Sequence, residues 1–398
     1  MNIYVCEGSC AKFDLHTPKI FKDLLTSSTS LADPRMAKHV LLVEPDYYTR
    51  YPPLGLLKLS SYHKNKGSTT ELVRGTTRDI SAKPDIIYIT SLFTWAWEPV
   101  WKAIQFYSRL FPDSELWLGG LYASLMPQHA ALSGIDPAHI FQGIFREAED
   151  LRPDYSLVPE WNKRVAGSII FASRGCVRSC RYCAVPRLEG SLCANKKSMR
   201  KFMWPGHKRI IFFDNNFFAN PMWESVLEEV EELGLRVDFN QGLDARLLTE
   251  KVARKISQLK IDKFVRLSYD YPQMRSHVKR AIEILASHGI NGRNILVYAL
   301  YNFTDSPQDL FERIKDILSW GAVCYPMRYQ PLNTLVKNRY IAPKWDKARL
   351  DAVQRARRVI GSGGAFPPYE GMLKVKVENC NTFDQAFGEF MTKLEAVQ

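Results

Sequence analysis

Three cysteines, Cys176, Cys180 and Cys183, stand at C-x3-C-x2-C spacing in the segment FASRGCVRSCRYCAVP, directly after an apolar run that reads as a strand. Thiolates so spaced on one loop can converge on a single cluster, and a cubane 4Fe-4S cluster held by three cysteines keeps one iron without a protein ligand. An iron open to exogenous ligands is a chemical site, just as an open position separates catalytic from structural zinc. A structural zinc site would need a fourth ligand, for which Cys193 or His207 could be proposed, but the paired CxxC knuckles usual for such sites are missing. A noncatalytic iron-sulfur protein, transferring electrons or binding nucleic acid, is a further use of the same cysteines, with Cys193 as the candidate fourth ligand.

The elements that must position this loop form a repeated pattern. Candidate strands begin at residues 167, 209, 236, 263, 294 and 322, each interval long enough for one helix and two turns. Six such units predict a β/α architecture, closed or partly closed, over residues 166–330. Between the second and third strands, Asn220-Pro221 supplies a helix start and Gly234 a stop, with Trp223, Leu227, Val230 and Leu233 along one face.

Upstream, HVLLVEP, DIIYITSLF and SELWLGG alternate with helical stretches, as in a doubly wound parallel sheet over residues 36–149. The strand ends at Pro45-Asp46-Tyr47, Ser91-Leu92-Phe93 and Gly119-Gly120 would line its binding edge. Residues 150–165, with two prolines and no period, read as a linker, and 331–398 as a helical and irregular extension containing KARLDAVQRARRV and GSGGAFPPYEG. The first 35 residues read as an appended segment, with translation able to begin at Met36; Cys6 and Cys10 there read as plain thiols.

The 398 residues, 46% hydrophobic and 24% charged, exclude global disorder and a single small scaffold. Eight cysteines, three of them within eight residues, argue against a disulfide framework, and the absence of a long apolar run or a secretion signal predicts a cytoplasmic chain without membrane contact. The net charge of +12 is concentrated: residues 161–210 hold twelve Lys or Arg against one acid, Glu189. Trp161, Phe171, Tyr182, Phe202 and Trp204 interleave with these cations. Cations that neutralise phosphates beside aromatic rings that stack bases predict a nucleic acid partner, tRNA or DNA; a solvated basic face is the alternative.

The three-cysteine spacing, with the aromatic Tyr182 just before the third cysteine, resembles the radical S-adenosylmethionine superfamily, and residues 38–149 resemble the cobalamin-binding-type domain that precedes the barrel in one branch. The resemblance implies that Cys176, Cys180 and Cys183 hold the 4Fe-4S cluster, that S-adenosylmethionine chelates its open iron, and that one electron cleaves the sulfonium to give a 5'-deoxyadenosyl radical. It also implies a reductase or a ferredoxin- or flavodoxin-type electron donor. Barrel sites are assembled at strand ends, which nominates Asp214 or Asn215 for the methionine amino group, although the usual Gly-Gly-Glu element is replaced here by Asp-Asn-Asn. Gln241 and Arg246 follow the third strand, Arg246 being a candidate for the cofactor carboxylate or for a structural salt bridge. Ser268 and Asp270 are candidates for the ribose hydroxyls, and Arg328 closes the sixth strand. The Asp-x-His-x-x-Gly motif of base-off cobalamin proteins is missing, and DPAHIFQG around His139 has the wrong spacing. Family members can bind cobalamin without that ligand, so it stays open. The substrate expectation is an unactivated carbon of a nucleic acid base, modified by methylation, rearrangement or insertion, with a peptide or small metabolite as the alternative.

Overall fold

The computed structural model describes residues 37–194, 198–359, 361, 363–368 and 377–391. The appended segment with Cys6, Cys10 and Met36 lies outside them.

Four strands, β1 (His39–Glu44), β2 (Thr69–Arg74), β3 (Ile86–Ser91) and β4 (Glu115–Gly120), form a parallel sheet in the order β2-β1-β3-β4. Alternation along β1 explains its unbroken apolar run. Leu41 and Val43 join one core with Val100, Ile104 and Tyr107 of helix α2 (Trp97–Leu110), while Val40 and Leu42 join another with Leu56 of helix α1 (Leu54–Lys64). Successive side chains point to opposite faces, so a strand covered on both must be apolar throughout. Strand β2, TTELVR, is absent from the sequence reading. It is an edge strand with one buried residue, Val73, and therefore lacks the apolar run that betrays its neighbours.

The second region holds two parallel sheets. In the first, β5 (Gly167–Ile170), β8 (Arg209–Phe212), β9 (Arg236–Phe239) and the two-residue β10 (Lys260–Ile261) lie in the order β10-β9-β8-β5, and a hairpin of β6 (Ser173–Arg174) with β7 (Cys193–Ala194) follows β5 in the chain. In the second, β11 (Val265–Ser268), β12 (Ile295–Tyr301) and β13 (Val323–Arg328) follow in sequence. A parallel bridge between Leu243 and Leu267, with the Leu243 N–H donating to the Arg266 carbonyl at 2.7 Å, carries the ladder from one sheet to the next. The six long strands are those expected from the sequence. Helices α3 (Trp223–Glu232), α4 (Glu250–Gln258), α5 (Arg275–Ser287) and α6 (Pro307–Ser319) cover them. The start of α6 is set by a capping box of Ser306 and Asp309 with Pro307 at the first position.

Residues 150–165 are packed rather than free. Tyr155, Val158 and Trp161 are buried with Leu57 of α1, Ile169 of β5 and Ile211 of β8, joining the two regions through one apolar cluster. The Asp154 carboxylate accepts from Ser60 Oγ and from Lys64 Nζ, both at 2.6 Å. The basic stretch KARLDAVQRARRV forms helix α7 (Lys347–Val359), whose Leu350, Val353 and Ala356 enter the large core. Within the glycine-rich loop that follows, Phe366 is buried and pairs antiparallel with Cys324, covering the edge of β13.

Candidate functional site

The carboxyl ends of the second region's strands open on a cavity of about 650 Å3. Cys176, Cys180 and Cys183 all line it, and their thiols are free. Their loop is anchored from three sides. Asp214, 2% exposed, accepts hydrogen bonds from the Ala172 N–H at 3.0 Å, the Ser173 N–H at 2.6 Å and Ser173 Oγ at 2.7 Å. Burial pushes its carboxyl up to about 6 against those donors. Glu189 accepts from the Gly175 N–H and from Asn215 Nδ2, both at 2.9 Å. Tyr182 Oη donates to Asp270 Oδ2 at 2.7 Å, docking the loop on the end of β11. Burial and the neighbouring Asp270 raise the phenol's pKa, and burial also raises that of Asp270.

Arg174 ties this loop to the first region. Its guanidinium forks onto Glu149 at 2.8 and 2.9 Å, reaches Glu189 at 3.3 Å and lies 3.3 Å over the Phe171 ring. Lys58 of α1 completes the chain at 3.0 Å from Glu149.

Of the residues nominated from sequence, the structure brings Tyr182, Asn215, Gln241, Arg246, Ser268, Asp270 and Arg328 to the same cavity as the cysteines. Asp214 stands behind the loop with its carboxylate spent on the backbone. Arg246 forks onto Asp244 at 2.6 and 3.0 Å, and Arg178 reaches the same carboxylate at 3.0 Å. Burial alone would raise the Asp244 carboxyl; hydrogen bonding and charge from Arg246, with Arg178 beside it, hold it below the usual range. Two polar atoms of the lining residues are buried without a partner, Asn216 Oδ1 and Arg328 Nε.

The alternative fourth ligands are placed elsewhere. His207 is buried between Ser168 Oγ at 2.9 Å and Asn162 Oδ1 at 3.0 Å, and burial holds it down to about 4, as a neutral core histidine. Cys193 is on β7 and does not line the cavity. Among the described residues no three Cys, His, Asp or Glu side chains are gathered as for a single metal ion. A cubane cluster asks for something different, thiols spread around a space with irons at separate corners. Three free thiols on one anchored loop facing a large cavity fit that donor set.

Three positioning residues escaped the sequence reading. Glu189 had a signal, being the only acid in the basic block. Asp244 and Arg313 had weaker ones. Arg313 occupies the apolar face of α6, between Leu310 and Ile317, and is 1% exposed. It donates to the carbonyls of Tyr269 at 2.8 Å and Leu300 at 2.7 Å and pairs with Asp305 at 2.6 Å, fastening the ends of β11 and β12.

The first region has its own cavity, about 210 Å3, at the ends of β3 and β4. Gly55, Gly119 and Gly143 line it, and a Cβ at any of them would meet open space within 4 Å. Trp117, Tyr88 and Phe141 supply apolar walls, and Glu149 and Arg174 reach it from the junction. His139 lies beside Trp117, ring centroids 4.5 Å apart, and is not among the lining residues.

No protein-family model matches the chain. Over 176 residues it is 28% identical to the ribosomal protein uS12 methylthiotransferase RimO of Paracoccus denitrificans, a match covering 39% of this chain and about a third (34%) of that protein. Two solved structures of the radical S-adenosylmethionine methyltransferase TsrM from Kitasatospora setae share its fold at 15% identity. One, with cobalamin and a [4Fe-4S] cluster bound, gives a TM-score of 0.58 over 90% of this chain and 82% of that one. The other, with a tryptophan substrate and the analogue aza-SAM bound, gives 0.57 over 90% and 84%. The chain thus shares the overall α/β fold of those two structures over 90% of its length.

The expected nucleic acid partner, tRNA or DNA, is corrected. The protein of like fold carries tryptophan as its substrate, and the rings meant to stack bases are engaged in this chain. Trp161 and Phe202 are each 4% exposed, Arg174 covers Phe171, Trp204 packs at the junction, and Tyr182 is bonded to Asp270. Arg174, Arg178 and Arg209 of the basic block are paired with carboxylates. Among the described residues no helix is long and apolar enough to cross a membrane.

Proposed function

We propose that this chain is a radical S-adenosylmethionine enzyme acting on a carbon of a peptide or small metabolite, with methyl transfer the reaction its structural neighbour suggests. The observation that carries the reading is the anchored loop that turns Cys176, Cys180 and Cys183 into one cavity at the strand ends. When bound there, a cluster with one iron free of protein ligands supplies S-adenosylmethionine with one electron for cleavage of its sulfonium.

The chain's own residues bind and orient. Asp214 and Glu189 hold the loop backbone, so the thiols enter the cavity in a fixed arrangement. Asp270 gives one oxygen to Tyr182 and keeps acceptor capacity which, with Ser268, suits the hydroxyls of a ribose. Asn215 and Gln241 offer amides for the methionyl end. Arg246, already forked onto Asp244, fits the salt-bridge role better than that of a carboxylate receptor. The glycine-lined apolar cavity of the first region, about 210 Å3, would receive one arm of a cobalamin and not its whole corrin, and an external ferredoxin- or flavodoxin-type protein would supply the electron.

Anaerobic reconstitution with iron and sulfide, followed by S-adenosylmethionine and a strong reductant, tests the reading. Cysteine-dependent 5'-deoxyadenosine or S-adenosylhomocysteine is expected, measured against Cys176→Ala and with and without cobalamin. A fully loaded cluster that yields neither product with peptides or amino acids present would overturn it.

A further inference from the structure

We propose that the outer face of the cysteine loop, which presents Arg181, Arg187 and the exposed Val177, is the docking surface for an acidic electron-transfer protein; this rests on the cluster reading proposed above. The loop is two-sided. Cys176, Cys180, Cys183, Ala184 and Val185 line the large cavity, whereas Val177, Ser179, Arg181, Pro186 and Arg187 are exposed and do not line it. Residues 174–190 hold four arginines and a single acid. That acid, Glu189, is turned inward onto the Gly175 N–H, Asn215 and Arg174. Arg174 is further paired with Glu149, and Arg178 shares Asp244 with Arg246. Arg181 and Arg187 remain: among the described residues the loop's ion pairs are those of Arg174 and Arg178, and neither of these two makes one.

Position decides the kind of partner. Val177 is 53% exposed and directly follows Cys176, and Arg181 directly follows Cys180, so a protein resting here is separated from the thiols by the width of one loop. Electron tunnelling falls steeply with distance, and the cavity side of the cluster belongs to S-adenosylmethionine and the substrate. The outer face is thus the short route for an external electron. One electron leaves the reduced flavin or iron-sulfur centre of the partner and enters the cluster, with no proton or heavy atom transferred. An apolar side chain flanked by unpaired guanidiniums suits a small, transient interface with a partner of acidic surface. The surface is also held in shape. The Cys176 N–H donates to the Gly190 carbonyl at 3.2 Å, and a Cβ at Gly175, φ +72, would run into the Ser191 carbonyl, so the two ends of the loop are pressed together. Such preorganisation lowers the cost of docking.

Stopped-flow reduction of the anaerobically reconstituted full chain tests this, read as loss of cluster absorbance without S-adenosylmethionine. Three reductants are compared: a reduced acidic flavodoxin, a reduced acidic 4Fe-4S ferredoxin, and reduced methyl viologen, a small cation. At low salt, Arg181→Glu combined with Arg187→Glu should slow reduction by at least one of the two proteins about ten- to a hundredfold, and leave reduction by methyl viologen unchanged or faster. The protein that reduces the parent faster identifies the partner as a flavin or an iron-sulfur carrier. Arg280→Glu, the same charge change at an exposed position of α5, should alter each rate by no more than about twofold. In the parent, the protein-driven rate should fall about tenfold between low and high salt. Rates with both proteins that the double variant leaves intact, an equal loss with methyl viologen, or an equal loss in Arg280→Glu would overturn the surface. Should the double variant fail to hold iron, the salt response of the parent decides, and a flat response with both proteins overturns the surface. Protein-driven reduction with these properties but no cofactor cleavage sinks the reaction alone, and cleavage driven by methyl viologen with protein-driven rates indifferent to Arg181 and Arg187 sinks the docking surface alone.

Discussion

The two cavities sit at equivalent places, each at the carboxyl ends of parallel strands, yet they are built to opposite rules. The smaller is shaped by glycines that lack a Cβ and by aromatic walls, and its charged rim residues Lys58, Glu149 and Arg174 satisfy one another. The larger holds free thiols, two arginines on one aspartate, and polar atoms left without partners at Asn216 and Arg328. The first can select a ligand by shape, and the second offers unsatisfied chemistry. Arg174 lines the smaller cavity and pairs with Glu189, which holds the loop that carries the thiols.

The strongest way to break this contrast is at the thiols. Cys176→Ala, Cys180→Ala and Cys183→Ala should each lose nearly all cluster iron by chemical analysis after reconstitution, while His207→Gln retains it. Retention of iron in all three cysteine variants would remove the distinction. Next comes the junction. Trp161, which also donates to the Gly167 carbonyl at 2.8 Å, is the central ring of the shared cluster. Trp161→Ala should cost about 3–5 kcal/mol in denaturant unfolding, and both regions should still unfold in a single transition. Two separated transitions in the unmodified protein would show the regions to be independent.

The apolar cavity can be filled from its floor. Gly119→Leu places a side chain in open space and should weaken cobalamin binding by at least about tenfold, roughly 1.4 kcal/mol, with little change in stability. Unaltered cobalamin spectra on titration would mean the ligand lies elsewhere. Tyr182→Phe removes the hydrogen bond to Asp270 and should cost about 1 kcal/mol, visible as a faster loss of cluster absorbance in air. The smallest effect separates the regions by pH. Burial lowers both His63, in the first region, and His207, at the junction, to about 4. Below the ordinary value of 6.5 the unfolded chain takes up protons that the native sites refuse, so stability falls as pH drops from 6.5 toward 4. Urea midpoints at pH 7 and 5 should therefore draw closer together in His63→Gln and in His207→Gln, each removing its own share. A gap as wide as in the parent would contradict the burial of that ring.

Much of the fold was legible because a strand covered on both faces must be apolar throughout. VLLV in β1 and RIIF in β8 announce themselves, whereas TTELVR at the edge does not. The stretch 150–165 looked like a linker because its buried Tyr155, Val158 and Trp161 follow no helical or strand period; they fill a space between two regions whose shape the local sequence does not encode. At the site, the cysteine spacing was local and therefore readable. Asp214 drew attention as a polar residue at a strand end and was nominated for the methionine amino group, but only packing shows its carboxylate turned to Ala172 and Ser173.

The sequence by itself determined the thiol spacing, the apolar runs of the covered strands and the concentration of positive charge, since each is a property of residues close along the chain. Only the tertiary structure decided what that charge does. Glu149 lies 25 residues from Arg174, and Asp244 lies 66 from Arg178. Whether a cation faces solvent, a phosphate or a distant carboxylate depends on which strand ends the fold brings together. The same holds for the rings, since Trp161 and Phe202 read as a stacking surface until the fold buries them.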